Sequence, residues 1–325
     1  MRNLTQLQKQ LCNILQEGLP VCEKPFAQIA KVLDVDEERA LEQIRKLKNT
    51  GIIRRFRAII NYNAIGKIGT LVTAHVPQES LDEIAEAVNR LEGVSHNYLR
   101  DNFYNLWFTL QAKSNEEIEK ILSNLFQCFG IEFHSLPVVR TFKLEVRFDV
   151  ENKKCKTEQE APAKPKSEAV KLDANEKLVI EKLQKEIQIT AEPFSNIVEG
   201  KLKSQDVLKI TQKLIEKDVI RRIAAVLDYH KLGFDANILF ACEVPQERIL
   251  ETGEKLARCE MVSHCYERKT FEGWPYNLFA MMHSRSIEEI KRAVKEFTES
   301  EKIKSYQLLP TVAELKKQPV EHKFD

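Results

Sequence analysis

Apolar residues recur along this chain with two periods, and the periods alternate in a set order. Leu4, Leu7, Leu11, Ile14 and Leu15 are spaced for one face of a helix. After the turn signals Gly18, Pro20 and Pro25, Phe26, Ile29, Ala30 and Leu33 mark a second, short helix. Asp36 is placed to cap a third, whose stripe is Ala40, Leu41, Ile44 and Leu47 and whose end is signalled at Asn49-Thr50-Gly51. Three helices with a tight turn before the third form a helix-turn-helix pattern. From Ile52 to Ile60 the chain reads as a strand, and Asn61 to Gly69 as a loop. A strand from Thr70 to Val76 follows, stopped by Pro77, then a helix on Leu81, Ile84, Ala85, Val88 and Leu91. A strand through His96, a turn at Asp101-Asn102 and a strand from Tyr104 to Leu110 come next. Ile118, Ile121, Leu122 and Leu125 give another helix, and an extended run from Ile131 to Phe148 is broken at Pro137. The order β-α-β-β-α-β is that of a ferredoxin-like sandwich.

Residues 151–172 interrupt the pattern with polar, proline-bearing sequence and read as a linker. The first half then repeats. Asp218-Val219-Ile220-Arg221-Arg222-Ile223 matches Gly51-Ile52-Ile53-Arg54-Arg55-Phe56, and Asp228-Tyr229 with Leu232-Gly233 matches Asn61-Tyr62 with Ile65-Gly66. Val244-Pro245-Gln246 matches Val76-Pro77-Gln78, and Tyr276-Asn277-Leu278 matches Tyr104-Asn105-Leu106. The expected layout is α+β, a tandem repeat of a winged helix-turn-helix-like domain and a ferredoxin-like βαββαβ sandwich. The boundaries are 1–57 and 58–150 in the first copy, and 173–223 and 224–325 in the second, whose helix-turn-helix is degenerate around Phe194 to Lys203. Units of this kind commonly pair through their sheets, so one chain is expected to form an asymmetric pseudo-dimer.

Composition narrows the function. At 325 residues the chain exceeds the usual size of one core. A formal charge of +1 gives no global field toward nucleic acid or membrane. No apolar run approaches a membrane span, and the first residues lack a signal-peptide core, so a cytoplasmic protein is expected. The seven cysteines form no C-x-x-C pair, which favours reduced thiols; Cys259 and Cys265 are a weak metal pair. The third helix opens on Asp36, Glu37 and Glu38, which would face phosphates, so DNA binding is disfavoured.

The chemistry lies in a doubled motif. Val94-Ser95-His96-Asn97-Tyr98-Leu99-Arg100 and Val262-Ser263-His264-Cys265-Tyr266-Glu267-Arg268 place His, Tyr and Arg at alternate positions. On a strand all three share a face, an arrangement suited to a flat polyanionic ligand. The alternative is a half-exposed strand with a polar face in solvent.

Gly51-Ile52-Ile53-Arg54-Arg55-Phe56 and Val262-Ser263-His264-Cys265-Tyr266-Glu267-Arg268, with Trp274-Pro275-Tyr276-Asn277-Leu278-Phe279, resemble sirohaem decarboxylase, an enzyme with the Lrp/AsnC architecture. The resemblance covers both halves and implies that the two subunit types of that family are fused here as an intramolecular pseudo-heterodimer. It implies loss of carbon dioxide from the C12 and C18 acetates of sirohaem, giving 12,18-didecarboxysirohaem for the alternative haem route or for haem d1. The first copy departs from the pattern: no Trp-Pro precedes Tyr104, and its turn is shorter.

A polycarboxylate substrate calls for arginines, whose planar forks match carboxylates. Arg54, Arg55, Arg221, Arg222, Arg100 and Arg268 are the candidates, and only one member of each Arg-Arg pair should reach substrate, because strand neighbours diverge. Decarboxylation leaves electron density that a proton must quench, and histidine carries one near neutral pH. His264 is the first candidate and His96 the second, with Arg268 beside them as a catalytic residue. Either histidine could instead ligate the substrate's iron. Tyr98, Tyr104, Tyr266 and Tyr276 are placed to bond or stack on the ring, or to fill the core. Trp274 either covers the macrocycle or packs a corner, and His230 is a weak pocket candidate. No cofactor motif occurs, so none is expected beyond the iron that the substrate carries. The competing readings are an Lrp/AsnC-type ligand-sensing regulator and a non-catalytic haem sensor, and further homo-oligomerisation stays open.

Overall fold

The computed structural model describes residues 4–144, 148–151, 154–155, 169–195, 197 and 202–324. Most of the linker expected at 151–172, and part of the turn expected around Phe194 to Lys203, lie outside these residues.

The first copy opens with α1 (Gln6–Glu17), α2 (Pro25–Val32) and α3 (Glu37–Asn49). Local chemistry sets their starts. Thr5 and Gln8 close a capping box on α1, Pro25 sits in the first turn of α2, and the Asp36 carboxylate accepts from Arg39 N at α3. Gly51 leaves α3 with φ 72°, and Ile52 N donates back to Leu47 O at 3.0 Å. Its repeat partner Asp218 takes the same left-handed conformation (φ 56°), and Val219 N donates to Leu214 O at 2.9 Å. Aspartate is among the few side chains that tolerate this region. In the second copy α6 (Ala174–Leu183) and α7 (Ser204–Glu216) flank a stretch with no helix among its described residues. No helix among the described residues is long and apolar enough to cross a membrane.

From each helical unit runs one strand, β1 (Ile53–Ile60) and β8 (Ile220–Leu227), and the two pair antiparallel with each other. Their core takes side chains from both halves, including Phe26, Ile44 and Phe56 of the first and Val179, Phe194 and Leu214 of the second. Each such side chain contributes roughly 1.5–3 kcal/mol by leaving water.

The first sandwich is β2 (Ile68–Ala74), α4 (Leu81–Arg90), β3 (Val94–Arg100), β4 (Leu106–Ala112), α5 (Asn115–Phe129) and β5 (Phe133–Lys143). A short pair, β6 (Phe148–Asp149) and β7 (Lys154–Cys155), follows. The second sandwich is β9 (Ala236–Cys242), α8 (Ile249–Ala257), β10 (Val262–Arg268), β11 (Leu278–Ser284), α9 (Ile287–Ser300) and β12 (Tyr306–Lys317). The β-α-β-β-α-β order read from the sequence is present twice. The edges of the two sheets are joined, β12 to β3 and β5 to β10, into one closed barrel ordered β10-β11-β9-β12-β3-β4-β2-β5. Closure removes every free sheet edge of the ring.

The helices lie outside the barrel. Ile84, Val88 and Ile118 pack on Val72, Val94 and Phe108 in one half, and Ile249, Leu256 and Ile290 on Ile238, Phe240 and Val262 in the other. Inside, Trp107, Leu136, Leu239, Trp274, Phe279 and Leu309 form a separate core. Strand β9 is covered on both faces and buried throughout.

Candidate active site

The outward face of β3 is fixed by Asn97, which donates to Asn89 Oδ1 on α4 at 3.1 Å, and that of β10 by Cys265, whose Sγ lies 3.7 Å from Gly253 O on α8. Period two then turns His96, Tyr98 and Arg100, and likewise His264, Tyr266 and Arg268, into the barrel. Strands β3 and β10 are four apart in the ring of eight, so the two triads face each other from opposite walls. Cys265 packs against α8 and burial pushes its thiol up, so the metal reading of Cys259 and Cys265 loses its second ligand.

Arg100 is the deepest residue of its triad, whereas Arg268 is half-buried, like His264 and Tyr266. Arg100, 4% exposed, donates from Nη1 to Leu309 O at 2.9 Å and Thr311 Oγ1 at 3.1 Å. Arg268 donates from Nη1 to Leu136 O at 2.8 Å. The guanidinium carbons lie 5.1 Å and 4.8 Å from the ring centres of Tyr98 and Tyr266. Among the described residues neither arginine has a carboxylate within ion-pairing distance, and neither Nε has a partner. Burial lowers both below the ordinary arginine value, Arg100 to about 10. Arg100 Nη2 also lies 3.9 Å from Met281 Sδ. A cation held by carbonyls, a hydroxyl, a thioether and π faces is costly to keep from water, and it is set up for an incoming anion.

The histidines are held by the serines before them. His96 Nδ1 is 2.8 Å from Ser95 Oγ, which is 2.7 Å from Thr109 Oγ1. His264 Nδ1 is 3.1 Å from Ser263 Oγ, which donates to Met281 O at 3.1 Å. Each imidazole centre is 6.1 Å from that of the following tyrosine. Burial pushes His96 down to about 4, and Lys317, His264, Arg57 and Arg54 add positive charge to the same effect. In the unliganded chain His96 is therefore neutral at pH 7.

The paired strands β1 and β8 supply further cations. Arg54 Nε is 3.2 Å from Asp228 Oδ2, and its Nη2 is 3.7 Å from Glu314 Oε1. Arg221 donates to Asn61 Oδ1 at 3.4 Å. The charge of Arg54 acts on Tyr98, and that of Arg221 on Tyr266, so one member of each pair addresses the triad of its own half. Arg55 is exposed, and Arg222 lies beside Gly18 at the end of α1, as strand alternation requires.

Tyr104, Trp274 and Tyr276 are not beside the histidines. They follow the strand ends that carry Arg100 and Arg268, about 13 Å or more along the strand from His96 and His264 at ~3.3 Å per residue. Trp274, 4% exposed, meets Tyr104 at 5.6 Å, Trp107 at 5.4 Å and Tyr276 at 4.8 Å between ring centres. Phe271 stacks on His134 at 4.0 Å, and Tyr276 OH accepts from Gln307 at 2.9 Å. For Trp274, then, the geometry is that of a packed corner: the extra turn of the second copy closes one end of the barrel.

Residues outside the sequence-derived set also join the site. Tyr62 and Tyr229 act on Tyr266 and Tyr98 across the halves. They occupy matched positions after Asn61 and Asp228, a signal already visible in the repeat. His283, whose burial pushes it to about 3, packs against Phe148 and Tyr229 and feels His264, Lys317, His230 and Arg100. His230 is exposed and lies 4.2 Å from the Tyr229 ring.

Family profiles match at residues 64–143 and 231–316 (AsnC-like ligand binding domain) and at 8–54 (Siroheme decarboxylase NirDL-like HTH domain). A Siroheme decarboxylase of Hydrogenobacter thermophilus is 33% identical over 94% of this chain and 92% of its own length. The chain belongs to the sirohaem decarboxylase family. Its two-copy build explains why the Siroheme decarboxylase alpha subunit of Desulfovibrio desulfuricans, 38% identical, matches 47% of this chain but 88% of itself. A crystal structure of the siroheme decarboxylase NirDL in co-complex with an iron-uroporphyrin III analogue superposes with TM-score 0.75 at 28% identity, over 98% of this chain and 94% of that one. Members of the family thus exist both as a fusion and as separate subunits.

Proposed function

We propose that this chain is a sirohaem decarboxylase that removes the C12 and C18 acetate carboxyls of sirohaem, giving 12,18-didecarboxysirohaem for haem or haem d1 formation. The observation that carries the site assignment is the pair of inward-facing arginines, Arg100 and Arg268, which among the described residues have no carboxylate within ion-pairing distance. A substrate carboxylate supplies that charge, and a guanidinium buried at low dielectric holds it strongly.

The chain's residues then have the following tasks. Arg100 and Arg268 bind and orient carboxylates at depth. Tyr98 and Tyr266 carry the guanidinium against their ring faces, and their hydroxyls, with pKa raised by burial, remain protonated donors. As the bond between the methylene carbon and the carboxyl carbon breaks, its electron pair stays with the methylene carbon and the conjugated ring. A proton delivered to that carbon completes a methyl group, and carbon dioxide leaves. His96 and His264 are the groups assigned to hold and deliver this proton, or to ligate the substrate's iron. Ser95 and Ser263 fix the orientation of each imidazole through Nδ1. No organic cofactor is called for by these steps.

Anaerobic incubation with sirohaem, followed by mass analysis of the extracted tetrapyrrole, tests the reading. Loss of two carbon dioxide units is expected, and binding without loss of mass would overturn it in favour of a sensor.

A further inference from the structure

The two repeats share one barrel but do not bring the same charges to it. Lys317 is the direct partner of His96 across the β12–β3 ladder, and directly opposed residues on antiparallel strands carry their side chains on one face. Its ammonium lies 3.2 Å from Glu314 and 4.0 Å from the centre of the Tyr229 ring. The same side chain lines an open groove of about 750 Å³ between β1, the loop after β8, and β12.

That groove is basic. Lys48, Arg54, Arg55, Lys231, Lys316 and Lys317 line it, together with the carboxylates of Asp228 and Glu314. Glu186, 2.9 Å from Lys48, adds a third counter-charge. Lys231 and Lys316 bond to backbone carbonyls, Thr50 O at 3.0 Å and Asn89 O at 2.6 Å, and among the described residues neither has a carboxylate within ion-pairing distance.

The second copy does not repeat this wall. The offset that aligns Arg54-Arg55 with Arg221-Arg222 puts Ile215 at the place of Lys48, and Ala64 at that of Lys231. The offset that aligns Pro137 with Pro310 puts Leu144 at the place of Lys317. Three of the six cations therefore have apolar counterparts.

We propose that this groove is a docking site, present in one copy only, for the carboxylate-bearing edge of the macrocycle, and that Lys317 is the carboxylate-binding residue at its inner end beside His96. The proposal rests on the reading of the chain as a tetrapyrrole decarboxylase, and it makes the His96 half the one that captures the polyanion. A carboxylate at Lys317 would also offset the positive charge of Lys317, Arg54 and Arg57 on His96, the groups of β12 and β1 that act on it, with His264 of β10 facing them.

The test is absorbance titration of the full chain with iron-uroporphyrin III at low and high salt. Lys317→Met is expected to weaken binding about tenfold at low salt, to flatten the salt dependence, and to be rescued in part by Lys317→Arg. Lys231→Met, on the opposite wall, is expected to act in the same direction, while Lys209→Met, exposed on α7, leaves binding unchanged. Tight binding by the unaltered chain with equal affinity in Lys317→Met and Lys231→Met would overturn the docking site and leave the decarboxylase reading standing. No binding by the unaltered chain would overturn both.

Discussion

His96 and His264 occupy matched positions on strands that lie on opposite walls of one eight-stranded barrel, and the charge of His264 acts on His96. Two copies of the candidate site that were separate in sequence thus share an interior. The copies are not chemically equal. Ser95 relays His96 to the Thr109 hydroxyl, whereas Ser263 spends its proton on the Met281 carbonyl. The hydroxyl beside His96 can donate to or accept from the ring, while the one beside His264 is left mainly as an acceptor.

Replacing either histidine tests this division. His264→Ala and His96→Ala are each expected to lower turnover of sirohaem by roughly a hundredfold or more, the usual scale of a lost general acid, with the fold retained. Single-turnover mass analysis of both variants is the check. Unchanged turnover in both would remove the histidines from the chemistry.

The buried arginines predict opposite effects on stability and binding. Arg268→Met removes a charge that has no ion-pair partner among the described residues and replaces it with apolar volume, so stability is expected to hold or rise. The same substitution removes a carboxylate anchor, so affinity for iron-uroporphyrin III is expected to fall about tenfold or more. Thermal denaturation and ligand titration on one preparation give both readouts. A variant that loses stability and binding together would mark Arg268 as structural.

How far the sequence carried this site depends on which residues the repeat exposed. The His-x-Tyr-x-Arg alternation was legible because period two is local. The closed barrel was not legible, since joining β12 to β3 depends on two edges more than 200 residues apart by the register Thr311 to Arg100. Lys317 was hidden for the same reason: only the ladder places it beside His96, and its repeat position holds Leu144. Trp274 was ambiguous because an aromatic in a turn fits a ligand cover or a core corner equally well until its neighbours are known.

Trp274 supplies a prediction about the plug. Trp274→Ala is expected to cost about 3–5 kcal/mol, the range for a large aromatic lost from a core, and to lower Tm. Trp274→Phe keeps most of the volume and is expected to keep the KM for sirohaem within about twofold, since the ring sits beyond Arg100 and Arg268 rather than beside the histidines. Steady-state kinetics on the phenylalanine variant decides the matter: a large rise in KM would bring Trp274 back to the substrate.

Acid should destabilise the empty chain through its buried histidines. His96 and His322 are pushed to about 4, and His283 to about 3, in each case first by burial and then by neighbouring positive charge. Their unfolded values lie near 6.5. Between those limits the unfolded chain holds more protons than the folded one, so the stability these groups allow is complete above pH ~6.5 and is lost as pH falls toward 4 and then 3. Each unit of displacement is worth about 1.4 kcal/mol, so each group contributes a few kcal/mol over its whole range. Burial would raise Glu176, but hydrogen bonds from Lys213, the Asp173 backbone and Lys217 hold it at about 2, so its own contribution is lost only below the usual carboxylate range. A Tm series between pH 7.5 and 5 therefore isolates the histidines, and a fall of several degrees is expected. Saturating iron-uroporphyrin III should lessen that slope, because carboxylates beside Lys317 and Arg54 offset the positive charge that adds to the effect of burial on His96. A slope that is absent without ligand would show that these imidazoles are already solvated, and one that is unchanged by bound ligand would place the macrocycle away from His96.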